Sequence, residues 1–404
     1  MSLYGMMRTG GSGMNAQANR LGAVAENIAN ANTTGYKRAS TEFSSMILPT
    51  TNGSYNSGGV ETKVRYSIGT EGAKVYTTSG SDLALDGGGF FVVQGGNGQE
   101  YLTRAGAFTE DGDGNLVNSA GYSLLGYDYA AGADPTVVVN GFDGLTKVNL
   151  ASDGLVAKGS TVGTMGVNLP SDAAIGGIST TSLIVYDSQG NTRILDFNYE
   201  KTDVNEWSVE IVDRDTGTSL GTKTLEFDSA GDLTTTPTTI STAAITGLAV
   251  TGADLGALSI DLGNTLQKGY KFEPADDKNG VDGSAPSKVA GFQIDDDGIV
   301  YVKYENNTLE PRYRIALANV QSPDNLVPQS GNVYSQGTDS GVIITGFAGS
   351  GDFGNIISGA LESSNVDIAE ELTAMIESQR SYTANSKVFQ TGADLLDVLV
   401  NLKR

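Results

Sequence analysis

The 404-residue sequence contains no cysteine and no histidine. That excludes disulfides, thiolate chemistry and zinc sites of the usual types. A hydrolase built from what remains would need paired carboxylates or a Ser–Lys arrangement. Proline is scarce, at 9 residues. No apolar run is long enough to span a bilayer, so no membrane insertion is expected. The N-terminus lacks a basic segment followed by an apolar one, so no cleaved secretory signal is expected. Lys and Arg number 25 against 47 Asp and Glu, a net charge of −22. Such a balance argues against nonspecific nucleic-acid binding.

Glycine is abundant, at 54 residues. With many Thr, Ser, Val and Asp, it points to short strands joined by tight turns. The charge is uneven. Residues 1–40 carry +3 and residues 363–404 carry −2, so the middle carries −23. Near-neutral ends can pack on copies of themselves, while an acidic middle stays solvated.

The most regular stretch runs from Glu362 to Arg404. With Leu372 at heptad position a, the a set is Leu372, Gln379, Ser386, Ala393 and Val400. The d set is Met375, Tyr382, Phe389, Leu396 and Lys403. Ile376 and Leu399 widen the stripe. Ser364 and Asp367 fit a helix start, and Glu370 and Glu371 suit a first turn. One helix over 366–402 would be about 55 Å long. Its stripe needs a partner: its own domain, or helices shared between subunits. Residues 2–31 offer a second seam, with Met7, Met14, Leu21 and Ile28 at a and Leu3, Gly10, Gln17, Val24 and Ala31 at d. Gly10, Gly11 and Gly13 each lower helicity by about 1 kcal/mol relative to Ala, so packing must support this helix. Two matched seams favour assembly. The expected interface is Met7, Met14, Leu21, Val24 and Ile28 with Leu372, Met375, Ile376, Gln379, Tyr382, Phe389 and Leu396. Gln379 and Ser386 are polar positions within that seam.

Between the ends the period is two. Leu83 and Leu85, then Phe90-Phe91-Val92-Val93 and Tyr101-Leu102-Thr103, read as antiparallel strands. Leu183-Ile184-Val185-Tyr186 and Ile194-Leu195-Asp196-Phe197 flank a hairpin turn at Asp187–Asn191. The fold class is therefore mainly β with long terminal α-helices. The plan is nested and multidomain, with the terminal helices forming a coiled coil and antiparallel β-domains between them. Residues 1–35 with 363–404 make the helical domain and 36–75 an extended linker. Residues 76–146 with 289–362 make a discontinuous β domain, and 147–288 an inserted outer one.

Candidate chemistry is sparse. Asp111-Gly112-Asp113-Gly114-Asn115 begins like a calcium loop, but Leu116 and Tyr122 stand where that loop needs Gly and Glu. A hairpin turn is expected instead. Gly87-Gly88-Gly89 leads into a strand, not a helix N-terminus, so it is no phosphate cradle. No catalytic residue, metal site or cofactor is expected, and the chain reads as a non-enzyme.

Several runs resemble one family, the bacterial flagellar axial proteins of rod and hook. They are Asn27-Ile28-Ala29-Asn30-Ala31-Asn32-Thr33-Thr34-Gly35-Tyr36-Lys37, Asp86–Val93, Thr103–Thr109 with Gly114–Val117, and Gly359–Asp367 with Gln379-Arg380, Tyr382 and Lys387. The family-signature turn is Asn30, Asn32, Thr33, Thr34, Gly35 and Tyr36. Glu26 and Gly392 depart from the family pattern, and Gly392 puts a continuous last helix in question. The inserted segment of about 140 residues sets the chain nearer the hook members than the shorter rod members.

The resemblance implies a self-assembling structural subunit of an extracellular tubular polymer that joins rod to filament as a universal joint. It implies type III export and, as partners, further copies of itself, the distal rod protein, the hook cap scaffold, the hook-length control protein and the hook–filament junction protein. A distal-rod or junction role is the alternative within the family. A secreted β-rich adhesin is the alternative outside it.

Overall fold

The structure is a computed structural model describing residues 3–47, 57–129, 135–151, 155–246, 248, 252–275 and 279–402. The chain is mainly β, with one helix near each end: α1 (Leu3–Ala29) and α2 (Ile368–Leu402). It divides into two compact units. One contains residues 1–151, 291–303 and 309–404, and the other residues 152–290 and 304–308. The sequence suggests a separate helical domain, linker and β domain. Contacts instead group all three in the first unit.

Of the stretch expected as an extended linker, residues 48–56 lie outside the described residues, and the parts on either side form strands beside the helix. Strands β1 (Ala39–Ile47) and β2 (Ser57–Tyr66) form an antiparallel hairpin with Ala39 opposite Tyr66. Ser12 Oγ on α1 donates to the Val60 carbonyl at 2.7 Å and accepts the Val60 amide at 2.8 Å. Asn19 Nδ2 donates to Thr62 Oγ1 at 2.8 Å. The polar residues that read as linker are the hairpin's solvent face and its contacts to α1.

The first unit's sheet interleaves strands from both halves of the chain. Leu309–Ile315 pairs with Ser123–Asp128, which pairs with Phe90–Gln94, then Glu100–Thr103, then Val333–Ser335. Alternation decides the packing of the Phe90–Val93 run. Phe91 and Val93 join Leu83, Phe108 and Leu124 in one cluster. Phe90 and Val92 join Ile68, Leu102 and Tyr334 in another. A strand apolar on both sides is buried on both. Nearer the ends, Leu83–Asp86 pairs with Asn355–Ser358 and Lys74–Tyr76 pairs with Ala360–Glu362.

One turn recurs in both units. Asp111, Asp187, Asp228 and Asp295 each begin a five-residue turn whose fourth residue is a left-handed glycine: Gly114, Gly190, Gly231 and Gly298. In each, the glycine amide donates to the aspartate carbonyl, and the aspartate amide donates to the fifth residue's carbonyl. The aspartate Oδ1 accepts the fifth residue's amide at 2.7–2.9 Å. Only a short side chain that accepts hydrogen bonds can close this turn on itself. The Asp111 carboxylate therefore holds backbone amides.

The second unit centres on a four-stranded antiparallel sheet of Ile178–Tyr186, Thr192–Asp203, Glu206–Asp213 and Ser219–Glu226. Its inner face packs Leu195, Phe197, Tyr199, Trp207, Val209 and Ile211. The chain enters and leaves this unit side by side, clamped by Asp282. Its Oδ1 accepts the amides of Thr161 and Val162, both at 2.8 Å, and Oδ2 accepts the Thr161 hydroxyl at 2.8 Å. Burial works against the charge. The amides of Val162 and Thr161, the Thr161 hydroxyl and the Lys158 ammonium outweigh it and hold the carboxyl at about 2. A folded pKa below the unfolded one gives stability that is present above the unfolded value, near 3.9, and is lost as pH falls through the folded value. Asp282→Asn should therefore lower the second unit's stability by about 2 kcal/mol at neutral pH. In calorimetry that difference should vanish as pH falls through about 2. A deficit independent of pH would refute the clamp.

Candidate assembly surface

α2 begins at Asp367, whose Oδ1 accepts the Ala369 amide at 2.8 Å and the Glu370 amide at 3.3 Å. Glu370 and Glu371 place negative charge in the first turn, where the helix dipole favours it. The helix then runs unbroken through Gly392 to Leu402. It packs antiparallel to α1. Met7 lies against Gly392, Gly10 and Gly13 against Asn385, and Arg20 Nη2 against Glu377 Oε2 at 2.9 Å.

The seam differs from the one expected. The α2 residues turned into the pair fall one position earlier, at Glu371, Ser378, Asn385 and Gly392, and both Glu371 and Ser378 are buried. A Cβ on Gly13 would sit 2.8 Å from the Asn385 side chain, and one on Gly392 would sit 2.7 Å from Met7 Cγ. Glycine thus sets how closely the two backbones approach. The glycines that weaken each helix alone are what let the pair form.

The consequence lies on the other face. On α1, Val24 is buried with Ala16 and Ala23, while Met7, Met14, Leu21 and Ile28 are half-buried. On α2, Met375 and Leu396 are half-buried and Gln379 is exposed. Leu372 is 47% exposed, Ile376 54%, Tyr382 41% and Phe389 38%. Ile368, Val388, Leu395, Val398 and Leu399 are exposed as well. The larger apolar side chains of α2 thus leave about half of their surface uncovered by the chain's own fold.

At the root of the pair the signature turn meets the β sheet. Asn30 Nδ2 donates to the Glu26 carbonyl, and Thr33 Oγ1 donates to Asn30 Oδ1 at 3.2 Å. Asn32 is exposed. The Thr34 carbonyl accepts Asn332 Nδ2 at 3.2 Å. Gly35, at φ 67°, donates its amide to the Glu362 carbonyl at 2.8 Å. The buried Tyr36 hydroxyl donates to Asn27 Oδ1 at 3.2 Å, and burial pushes the phenol's pKa up, keeping it a donor.

Residues absent from the expected site complete this joint. Glu362, 1% exposed, accepts Lys37 Nζ at 2.6 Å and the Gly72 amide at 2.9 Å on Oε1. Its Oε2 accepts Arg104 Nη1 at 3.2 Å. Burial pulls the Lys37 ammonium below the usual lysine range, and Glu362 opposes that pull. Arg104 also donates to the Gly87 carbonyl and lies over the Phe90 ring. Arg38 reaches Glu370 and Glu371 on α2, and its amide donates to Asn365 Oδ1 at 2.7 Å. Four stretches distant in sequence meet here. The available signal was charge inside otherwise apolar or turn-forming motifs: Lys37, Arg104 and Glu362.

No cluster of acidic side chains among the described residues is arranged to hold a metal ion. Among the described residues the geometry does not gather reactive groups. It joins a close-packed helical pair with an uncovered apolar face to a β sheet, which defines an assembling structural subunit. Four family descriptions match successive parts of the chain. Residues 7–37 match the flagella basal body rod protein, and 84–174 the flagellar hook protein FlgE/F/G D1 domain. Residues 157–281 match the flagellar basal body protein FlaE D2 domain, and 357–402 the flagellar basal body rod FlgEFG protein C-terminal.

Over its full length the chain is 73% identical to flagellar hook protein FlgE of Rhizobium meliloti and 50% identical to that of Brucella abortus, covering all of both relatives. It is 33% identical to flagellar hook protein FlgE of Escherichia coli, over 97% of this chain and 98% of that one. The chain belongs to the flagellar hook protein family. The crystal structure of Helicobacter pylori flagellar hook protein FlgE2 aligns with a TM-score of 0.53 at 16% identity. That alignment covers 72% of this chain and 100% of that one, and it establishes likeness of fold.

Proposed function

We propose that the chain is the structural subunit of the bacterial flagellar hook, and that it polymerises through its terminal helices into an open tube. The uncovered apolar face of α2 carries this reading. Exposed apolar patches of this extent mark interaction sites. A contact between one face and a different face of the next copy does not close, and it generates a helical polymer. The helical pair makes the inner tube, and the β units make the outer layers. Polar, acidic outer surfaces slide past one another as the tube bends, because wet polar contacts are not interlocked. The joint at Glu362 transmits torque from helices to sheet within each subunit.

In this reading the subunit leaves the cell by the flagellar type III route and is placed beneath a cap scaffold. A length-control protein limits its number. The distal rod lies below the tube, and the hook–filament junction protein lies above it. Purified full-length protein, concentrated and viewed by electron microscopy, is expected to form curved tubes. Straight rigid rods would favour the rod role, and a persistent monomer would remove the assembly reading.

A further inference from the structure

We infer that Asn140–Gly141 is a site of spontaneous self-modification, where the chain converts an asparagine into aspartate or isoaspartate without an enzyme. The reaction needs a flexible residue after the asparagine and an unhindered side chain. The backbone nitrogen of Gly141 attacks Asn140 Cγ, and the N–Cγ bond forms as the Cγ–Nδ2 bond breaks. The amide proton is lost and ammonia leaves. Water then opens the resulting succinimide at either carbonyl, giving aspartate or isoaspartate.

Three Asn–Gly bonds lie among the described residues, and the fold treats them differently. At Asn97–Gly98 the attacking nitrogen is occupied, because the Gly98 amide donates to the Gly95 carbonyl at 2.9 Å. Asn97 Oδ1 accepts the Gln99 amide, and its Nδ2 donates to the Tyr101 hydroxyl. Asn279 is tied at both ends of its amide. Oδ1 accepts the Gly166 amide at 2.6 Å and Nδ2 donates to the Gly166 carbonyl at 3.2 Å, while Gly280 pairs with Thr164.

Asn140 is exposed, and among the described residues its side chain has no hydrogen-bond partner. A Cβ added at Gly141 would meet nothing within 4 Å, so the space that ring closure needs is open. Thr345 grips the turn only by carbonyls. Its amide donates to the Val139 carbonyl at 3.0 Å, and its hydroxyl donates to the carbonyls of Val138 at 2.5 Å and Gly141 at 3.3 Å. Those contacts leave the Gly141 nitrogen and the Asn140 amide free. Isoaspartate would lengthen the main chain by a methylene within this grip and add a negative charge to the turn. The inference holds whether or not the chain forms a hook.

The test is peptide mapping by mass spectrometry of the full-length folded chain, incubated in mildly alkaline buffer. Isoaspartate is read out with an isoaspartyl methyltransferase. Asn140 is expected to convert several-fold faster than Asn97 and Asn279. The same chain in denaturant should lose that ranking, and the mapping reads Asn52–Gly53 separately. Gly141→Ala, which the open space tolerates, should slow conversion at Asn140 by about tenfold, because a Cβ restricts the backbone that ring closure must rotate. Equal conversion of the three sites in the folded chain, or no conversion at Asn140 while the denatured chain converts, would overturn the inference.

Discussion

Glu362→Ala is expected to destabilise the first unit by about 3–5 kcal/mol, the cost of leaving a buried charge without its partner. The loss is compounded at this position. Lys37 and Arg104 are both buried and both converge on the one carboxylate. Burial already pulls the Lys37 ammonium down, and Glu362 is the group that opposes it. Without Glu362, Lys37 must give up its proton or swing into water. Either route disturbs Gly72 and the turn at Gly35, which sit on the same residue. Glu362→Gln keeps an acceptor for Gly72 but not the charge, so its loss should be smaller. Calorimetry should show the first unit's transition moving down while the second unit's stays in place. Limited proteolysis should release α1 and α2 earlier. An unchanged first transition in the Ala variant would show that the helices are held by packing alone.

Much of this was legible in the sequence, and the reason lies in periodicity. The Phe90–Val93 run and the alternation from Glu206 to Asp213 are local signals, read from neighbours two apart. The helices at the two ends announced themselves by heptads and by the Asp367 start. What periodicity left open was which partner covers the stripe. A heptad count seeks the most apolar stripe and assigns it to the nearest partner. Here the intrachain seam is built from the least bulky residues, Gly10, Gly13, Ser378 and Gly392, because close approach of two backbones rewards small side chains. The apolar stripe is left for something outside the chain.

The joint was legible only in fragments. Asn27, Lys37, Arg104, Glu362 and Asn365 all stand inside runs that attract notice. Nothing in their spacing says that residues 325 apart share a hydrogen bond, as Lys37 and Glu362 do. Such partners are fixed by topology. The pairing of Lys74–Tyr76 with Ala360–Glu362 brings the two ends of the chain to one place. The β1–β2 hairpin was missed for a related reason. Its solvent face alternates Glu42, Lys63 and Arg65 with Ser, and its inner face relies on α1 for burial. Read alone, it has no core.

Ile376→Asp combined with Leu399→Asp is expected to leave the subunit folded and abolish polymerisation. Both side chains are more than half exposed in the single chain, at 54% and 52%, and neither belongs to a buried core cluster among the described residues. Circular dichroism and the thermal midpoint should stay near those of the parent. In a polymer the same positions would be covered. Burying an Ile or Leu side chain contributes about 1.5–3 kcal/mol. An ionised carboxylate without a partner in its place costs several kcal/mol more, or must take up a proton. A tubular polymer repeats that penalty at each subunit contact, so two substitutions per chain exceed what marginal contacts can absorb. Thr383→Asp, at an exposed polar position of the same helix, controls for added charge and should polymerise. The comparison is made by sedimentation and electron microscopy under conditions where the parent forms tubes. If the doubly substituted chain assembles as the parent does, the apolar face of α2 is not the surface that holds the tube together.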